Sequence, residues 1–133
     1  MAEHAPLHVL VVDDDGPSRR LAARVLGMRG YRVTTRPWPD LGPSEVASLR
    51  PDAVVLELRF GGRPLGLELL EALKADPATA GIPVVVCSAD AYGLRGAARR
   101  LAESGCDVVP KPYRAADLAE AVAGRVAAPH QAA

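Results

Sequence analysis

Polar side chains able to bind a cation and an anion follow four apolar runs of the chain. They are Asp13, Asp14 and Asp15 after the first run, and Glu57, Ser88 and Lys111 after three later ones. Clustered carboxylates repel one another unless a cation lies among them, and their oxygens suit Mg²⁺ or Mn²⁺. A lysine ammonium and a hydroxyl can bind a phosphate or a carboxylate. The sequence therefore predicts a site where a divalent metal and an anionic group lie side by side.

The elements that carry these residues are predicted from the apolar runs. Near-continuous apolar runs are typical of parallel strands buried on both faces, and here they alternate with stretches of helical periodicity. We expect five strands at 7–12, 31–35, 53–56, 83–87 and 106–109, and five helices at about 17–29, 44–49, 66–75, 92–103 and 114–126. This order predicts an α/β fold with a parallel sheet covered on both faces. In such a sheet, ligands bind at the carboxyl ends of the strands, where the polar residues fall.

Each polar feature also has a simpler interpretation. An aspartate after a strand often caps the next helix, and we expect one of Asp13, Asp14 and Asp15 to do so. A lysine between prolines, such as Lys111, could be an ordinary turn residue. Because all of these polar features occur together in a chain with the α/β order of elements, we favour a binding site over the simpler interpretations.

Composition and length exclude several classes of protein. The 133 residues suffice for one domain, and 16 basic residues balance 16 acidic ones, so no overall charge attracts nucleic acid or an acidic membrane. We find no signal-peptide pattern and no apolar run near the ~20 residues of a membrane helix. Cys87 and Cys106 are too few for a disulfide framework, and we expect both to be packed. We expect a cytoplasmic protein with one domain at 1–126 and a disordered tail at 127–133.

Several stretches of the sequence resemble the receiver domain of bacterial response regulators, of the chemotaxis-regulator type. The resemblance covers about residues 7–126. The matching stretches are VLVVDDD at 9–15, PDAVVLEL at 51–58, IPVVVCSA at 82–89 and GCDVVPKPY at 105–113, with Asp76-Pro77 before the third. The resemblance implies a flavodoxin-like, doubly wound (βα)5 fold with strand order 2-1-3-4-5. It also implies a signalling protein of a two-component system rather than an enzyme.

The resemblance assigns a role to each residue of the site. Asp13, Asp14, Glu57 and the backbone carbonyl of Arg59 would surround a divalent metal, Mg²⁺ or Mn²⁺. Glu57 occupies the position of the phosphoacceptor, which is an aspartate in the family.

Two further residues would act on the phosphoryl group. Ser88 would contact it, and Lys111 would pair with the acceptor carboxylate and its phosphate. The family also implies a cis peptide bond between Lys111 and Pro112, which an X-Pro bond permits at modest cost.

Glu57 is the main departure from the family. Its carboxyl group reaches about 1–1.5 Å further than that of an aspartate, given ordinary bond lengths. An error near 1 Å in the placement of reacting atoms can cost ~100-fold in rate, so we do not expect phosphorylation on Glu57. The side chain could instead reach towards Lys111 and Ser88 and partly imitate a phosphoaspartate, with one negative charge in place of nearly two.

Two other positions also depart from the family. Arg59 could pair with Glu57 or Asp14 and replace the metal cation, or it could point to solvent. The loop at 60–66 is one residue longer than usual. Val108 stands where the family often has an aromatic residue that changes rotamer on activation, so we expect the coupling from Ser88 to that switch position to be weak or absent.

These observations favour a receiver that works without phosphorylation, through protein–protein contacts. One alternative is a working phosphoacceptor that takes a phosphoryl group from a histidine kinase. Another is a small flavodoxin-like enzyme or nucleotide binder, although no Gly-rich phosphate loop follows the first strand.

The expected partners are a histidine kinase or another signalling protein, with no direct contact to nucleic acid or membrane. No effector segment follows in this sequence, so we expect output through a surface. The face of helix 4, strand 5 and helix 5 could form a homodimer through opposite charges, or be a mixed solvated surface. Those charges are Arg95, Arg99 and Arg100 on one helix and Asp117 and Glu120 on the other. The role of Trp38, in its proline-rich loop, stays open between an exposed contact and a cover for the core.

Overall fold

The structure is a computed structural model that describes residues 6–131, with side chains described up to Val126. The strands are β1 (His8–Val12), β2 (Arg32–Arg36), β3 (Ala53–Glu57), β4 (Val84–Ser88) and β5 (Asp107–Pro110). The helices are α1 (Gly16–Met28), α2 (Pro43–Leu49), α3 (Leu65–Ala75), α4 (Ala91–Gly96), α5 (Ala98–Glu103) and α6 (Ala115–Gln131). No helix in this part of the chain is long and apolar enough to cross a membrane.

The five strands are parallel and lie in the order β2-β1-β3-β4-β5, which confirms the predicted fold. Glu57 at the end of β3 lies opposite Cys87, one residue before Ser88. Ser88 in turn lies opposite Pro110, the residue before Lys111. Because the register brings the three strand ends to one edge, Glu57, Ser88 and Lys111 are neighbours in space.

The core has two halves, one on each face of the sheet. Alternate residues of β1, β3 and β4 point to opposite faces, and all of them are buried. One half packs beneath α2, α3 and α5, and its strand residues are Leu10, Val12, Val54, Leu56, Val84 and Val86. The other packs beneath α1 and α6, and its strand residues are Val9, Val11, Ala53, Val55, Val85 and Cys87. Burial on both faces explains why the interior of each of these strands is apolar, with polar residues only at the ends.

Asp15 is the one of the three aspartates that caps the first helix. Its carboxylate accepts a hydrogen bond from the backbone N–H of Ser18 at 2.9 Å. Ala22, Val25 and Leu26 then form the buried face of α1. One of the three clustered aspartates therefore has a structural role, as expected.

The prediction of a single helix over 92–103 is wrong. Two short helices, α4 and α5, occupy this segment and meet at the buried Ala97. Gly93 and Gly96 lie just before the break. In a helix interior, only proline is less favourable than glycine. The low helix propensity of this segment explains why the helix is interrupted.

The last helix continues beyond the predicted end of the domain. It runs to Gln131, so residues 127–131 of the expected disordered tail are helical, and residues 132–133 lie outside the described part of the chain. Alanine at positions 127 and 128 has a high helix propensity, but proline at position 129 is unfavourable in a helix interior, so local propensity does not explain the continuation.

The two cysteines are packed rather than paired. Cys87 is buried in the half of the core beneath α1 and α6, and this burial raises its pKa to about 12. Cys106 is half-buried, and burial also raises the pKa of its thiol. Neither thiol is therefore readily ionised.

Gly66 allows α3 to start against the end of β3. Its backbone N–H donates to the carbonyl oxygen of Leu58 at 3.0 Å. A Cβ atom at this position would lie 1.8 Å from the carbonyl oxygen of Glu57 and 2.8 Å from that of Leu58. Because backbone atoms cannot easily move aside, only glycine fits, and the position of the Glu57 backbone depends on it.

We predict that Gly66→Ala lowers the free energy of unfolding by about 2 kcal/mol, because the added methyl group overlaps the backbone of β3. Urea denaturation measures the change. Gly124→Ala is the matched control, since a Cβ at Gly124 meets nothing within 4 Å, and it should stabilise α6 slightly. Equal stability of Gly66→Ala and the wild type would contradict the close approach.

Candidate functional site

Lys111 joins two carboxylates at the carboxyl edge of the sheet. Its ammonium Nζ donates to Asp13 Oδ2 at 2.7 Å and to Glu57 Oε1 at 3.0 Å. The three side chains are 13%, 8% and 10% exposed, respectively. The backbone N–H of Lys111 also donates to the carbonyl oxygen of Ser88 at 2.8 Å, which ties the segment after β5 to the end of β4. Four of the predicted site residues are thus neighbours.

Glu57 folds back onto its own backbone. Its Oε2 accepts hydrogen bonds from the backbone N–H groups of Leu58 at 2.7 Å and Arg59 at 3.3 Å, while Oε1 accepts from Lys111. Both carboxylate oxygens are therefore engaged. The predicted reach towards Lys111 is present, whereas no hydrogen bond joins Glu57 to Ser88 in the described part of the chain.

One ammonium group, that of Lys111, contacts two buried carboxylates, those of Asp13 and Glu57. The electrostatics of the site follow from this imbalance of charge. Burial raises the pKa of Asp13, and the hydrogen bonds from Lys111 and the Asp15 backbone offset only part of the rise. Burial alone would lower the pKa of Lys111, but hydrogen bonds to Asp13 and Glu57 outweigh it, so this pKa lies above its usual value. Lys111 therefore stays charged, whereas its hydrogen bond offsets only part of the cost of burying the ionised Asp13 carboxylate.

Asp14 differs from its neighbours in being exposed. In the structure of residues 6–131, its side chain makes no hydrogen bond or ion pair. Asp13 Oδ1 accepts from the backbone N–H of Asp15 at 2.9 Å, and the Arg19 guanidinium donates to the Asp13 carbonyl oxygen at 2.8 Å. No group of three or more His, Cys, Asp or Glu side chains among the described residues is arranged to hold a metal ion.

Arg59 pairs with a residue that the sequence analysis did not single out. Its Nε lies 3.4 Å from Asp90 Oδ2, and its guanidinium also donates to the carbonyl oxygen of Gly62. Arg59 therefore pairs with neither Glu57 nor Asp14, the two partners that the sequence suggested. Asp90 caps α4 through Gly93, whose N–H donates to Oδ1 at 2.9 Å. An aspartate just before a helix is a recognisable N-cap, so this role could have been read from the sequence.

Ser88 is buried, and its hydroxyl oxygen accepts a hydrogen bond from the backbone N–H of Asp90 at 3.1 Å. The hydroxyl therefore belongs to the turn that starts α4. Ser88 and Asp90 together shape the loop after β4.

The loop after β3 is held in one conformation by a tight turn. Phe60 and Arg63 exchange backbone hydrogen bonds of 2.9 and 3.0 Å, and Gly61 and Gly62 between them have φ angles of +58° and +77°. Phe60 is fully buried, and Trp38 packs edge-on against it with ring centroids 5.6 Å apart. Trp38 is 41% exposed, so it both contacts this loop and faces solvent.

Two open cavities flank the site. A cavity of about 340 Å³ lies beside Ser18, Leu21 and Lys111. A larger apolar groove of about 510 Å³ lies between α4, α5 and β5, and its lining includes Val108, which is 38% exposed. Val108 thus forms part of the wall of this groove.

The Lys111–Pro112 peptide bond is cis, as the resemblance implied. The family model for the response regulator receiver domain matches residues 9–123, a span that includes every residue of the site. The chain belongs to the response regulator receiver family. The receiver is accordingly a signalling domain of two-component systems.

Curated relatives include larger bacterial regulators. The protein-glutamate methylesterase/protein-glutamine glutaminase 1 of Anaeromyxobacter dehalogenans (strain 2CP-C) is 37% identical over 106 residues, and response regulator MprA of Mycolicibacterium vanbaalenii is 34% identical over 114. These matches cover 78% and 85% of the receiver but 29% and 47% of the relatives. The chain thus spans less than half the length of these curated relatives.

Solved structures agree with the fold. The receiver domain of NtrX from Brucella abortus has a TM-score of 0.77 at 28% identity, covering 90% of this chain and 98% of that one. A CheY-like receiver domain protein from Methanospirillum hungatei JF-1 has a TM-score of 0.81 at 20% identity, covering 97% and 100%. The second likeness shows the fold alone.

We predict that Asp13→Asn raises the free energy of unfolding at pH 7. A carboxyl group whose pKa is raised by folding costs stability when ionised, and an asparagine oxygen can still accept from Lys111. As the pH falls through the folded-state pKa of Asp13, the wild type gains a proton and the difference should shrink, becoming small near pH ~4, the usual carboxyl range. Urea denaturation across this pH range measures it.

Lys111→Met is the control for this prediction, and it should change the free energy of unfolding in the opposite direction. It leaves two buried carboxylates without their cation and should lower the free energy of unfolding by about 3 kcal/mol. A wild type more stable than Asp13→Asn at pH 7 would contradict the assignment of an uncompensated charge to Asp13.

Proposed function

We propose that this receiver signals through protein contacts without accepting a phosphoryl group on Glu57. The observation that carries the proposal is the engagement of both Glu57 oxygens, by Lys111 and by two backbone N–H groups. An attacking oxygen needs a lone pair aimed at phosphorus and an in-line approach. Glu57 would first have to give up hydrogen bonds, and its longer side chain would then place the oxygen off the line of attack.

The pair of Glu57 and Lys111 supports a fixed signalling state. The glutamate carboxylate reaches the lysine ammonium directly, at 3.0 Å. The side chain brings one negative charge, against the nearly two of a phosphoryl group. The pocket would therefore hold a partial imitation of its modified state at all times.

The retention of Asp13, Ser88 and Lys111 favours the alternative of a working phosphoacceptor. These side chains lie at the same edge of the sheet, and the Asp13–Lys111 contact is intact at 2.7 Å. A site in use would need them all. The two functions differ in one measurable event, the gain of a phosphate.

We predict that incubation with Mg²⁺ and acetyl phosphate leaves the mass of the wild-type protein unchanged. Glu57→Asp, which restores the shorter acceptor in the same pocket, should gain one phosphate. Intact-mass spectrometry followed by peptide mapping makes both measurements. A phosphate mapped to Glu57 in the wild type would establish the alternative function, and an unreactive Glu57→Asp would show that Glu57 is not what blocks the chemistry.

The oxygens of Asp13 and Asp14 form a donor set that fits Mg²⁺ or Mn²⁺. Magnesium commonly takes one or two carboxylates from a protein and completes its shell with water, so a cluster of three is not required. Asp14 is exposed and makes no contact that would compete. We propose that these two aspartates, with the carbonyl of Arg59, would hold the ion, which would supply positive charge beside the acceptor position. The contacts of Glu57 with Lys111 and its own backbone leave it the weakest of the predicted ligands.

We predict that Mg²⁺ or Mn²⁺ changes the fluorescence of Trp38, which packs against Phe60 in the loop next to the site. Asp14→Asn should weaken the apparent affinity by about tenfold or more, because it removes one of two charged ligands. Asp40→Asn is the control, since Asp40 is exposed near Trp38 and is not a site residue. An equal effect of the two substitutions would contradict the assignment of Asp14.

The expected partners are a histidine kinase or another signalling protein, and two surfaces suit them. The outer face of α1 exposes Arg20, Leu21, Arg24 and Met28 without any acidic residue, and Leu21 borders the cavity that reaches Lys111. A partner that approaches Lys111 would meet this basic and apolar face.

The face of α4, α5, β5 and α6 could support a homodimer. Two of its charged side chains already have partners within the chain: Arg100 pairs with Glu71 at 2.7 Å, and Asp117 accepts from the backbone N–H of Arg114 at 3.0 Å. The apolar groove beside Val108 would supply the remaining contact area.

A further inference from the structure

The Arg59–Asp90 ion pair joins two loops that leave neighbouring strands at the site. Arg59 lies two residues after Glu57, at the end of β3, and Asp90 lies two residues after Ser88, at the end of β4. Within the described part of the chain, Arg59 Nε and Asp90 Oδ2 lie 3.4 Å apart and form an ion pair that joins the two loops. It therefore connects the acceptor position with the turn that begins α4.

Both ends of the pair are fixed by further hydrogen bonds. The Arg59 backbone N–H donates to Glu57 Oε2 at 3.3 Å, and its guanidinium also contacts the Gly62 carbonyl oxygen in the tight turn. Asp90 accepts from Gly93 at 2.9 Å and donates its backbone N–H to Ser88 at 3.1 Å. An unbroken series of contacts thus runs from the Glu57 carboxylate to the first turn of α4.

The first turn of α4 is adapted to this arrangement. A Cβ atom on Gly93 would lie 2.3 Å from Asp90 Oδ2, the oxygen that faces Arg59. A larger residue would push the carboxylate aside and break the ion pair. None of the residues of α4 is fully buried, so its position rests on the packing of the partly buried Leu94 and on the N-terminal contact with Asp90.

We propose that Arg59 is a positioning residue that transmits the state of the Glu57 carboxylate to α4 through Asp90. A change at Glu57 alters the hydrogen bond to the Arg59 backbone, which moves the guanidinium and frees or tightens the start of α4. Val108 lacks the aromatic ring through which the family is expected to pass such a signal. The link depends on side chains of this chain, and it holds whether or not Glu57 ever carries a phosphate.

Amide hydrogen exchange in residues 91–97 tests the link. Arg59→Gln should speed exchange there about two- to fivefold, the range expected for a half-exposed ion pair. Asp90→Asn should do the same, because asparagine still caps the helix but no longer carries the charge. The double variant should match the single ones, since both changes break one contact.

Transmission from the site is tested in two backgrounds. Glu57→Ala should change exchange in residues 91–97 of the wild type and should have no effect there in Arg59→Gln. Arg125→Gln is the matched control, because the Arg125–Asp107 pair is similarly exposed and joins β5 to α6. Unchanged exchange in β4 confirms that each variant is folded.

Three outcomes would overturn the proposal. They are normal exchange of residues 91–97 in Arg59→Gln, additive effects in the double variant, and an effect of Glu57→Ala that persists without Arg59. These outcomes are independent of the mass measurement, which reports only on phosphate. The failure of one proposal can therefore be told from the failure of the other.

Discussion

The contact of Lys111 with two buried carboxylates is the interaction on which the rest of the site depends. Asp13 and Glu57 lie at the ends of adjacent strands, and neither could be buried there without the ammonium between them. The ratio of one cation to two carboxylates leaves a net negative charge in a pocket closed to most solvent. Because burial raises the pKa of Asp13, the ionised form of this carboxylate lowers the stability of the folded state.

The extra methylene of Glu57 changes how this pocket is used. A glutamate long enough to reach Lys111 is also long enough to turn towards the N–H groups of Leu58 and Arg59. One oxygen of the carboxylate is thus engaged by the backbone of the loop and the other by Lys111. The strand end and the loop are therefore connected directly through this side chain.

Contacts outside the pocket hold the loop that follows Glu57. The turn at Gly61 and Gly62, the burial of Phe60 and the edge of Trp38 all restrict it. Gly66 then brings α3 against the backbone of the acceptor position. Because these contacts hold Arg59 on one side and the cap of α4 holds Asp90 on the other, a weak, half-exposed ion pair can still have a defined geometry.

The sequence alone determined the fold, because near-continuous apolar runs are local features of buried parallel strands, and it also indicated that the residues after those runs would lie at one edge of the sheet. It did not determine the partner of Arg59, the break at Ala97 or the extension of α6. The ion pair of Arg59 depends on which loops meet in space. The two helix boundaries depend on small differences in helix propensity and packing energy, which a local stretch of sequence does not reveal. Glu57 shows the division most clearly: its identity could be read from the sequence, but only the tertiary structure decided that both of its oxygens are engaged.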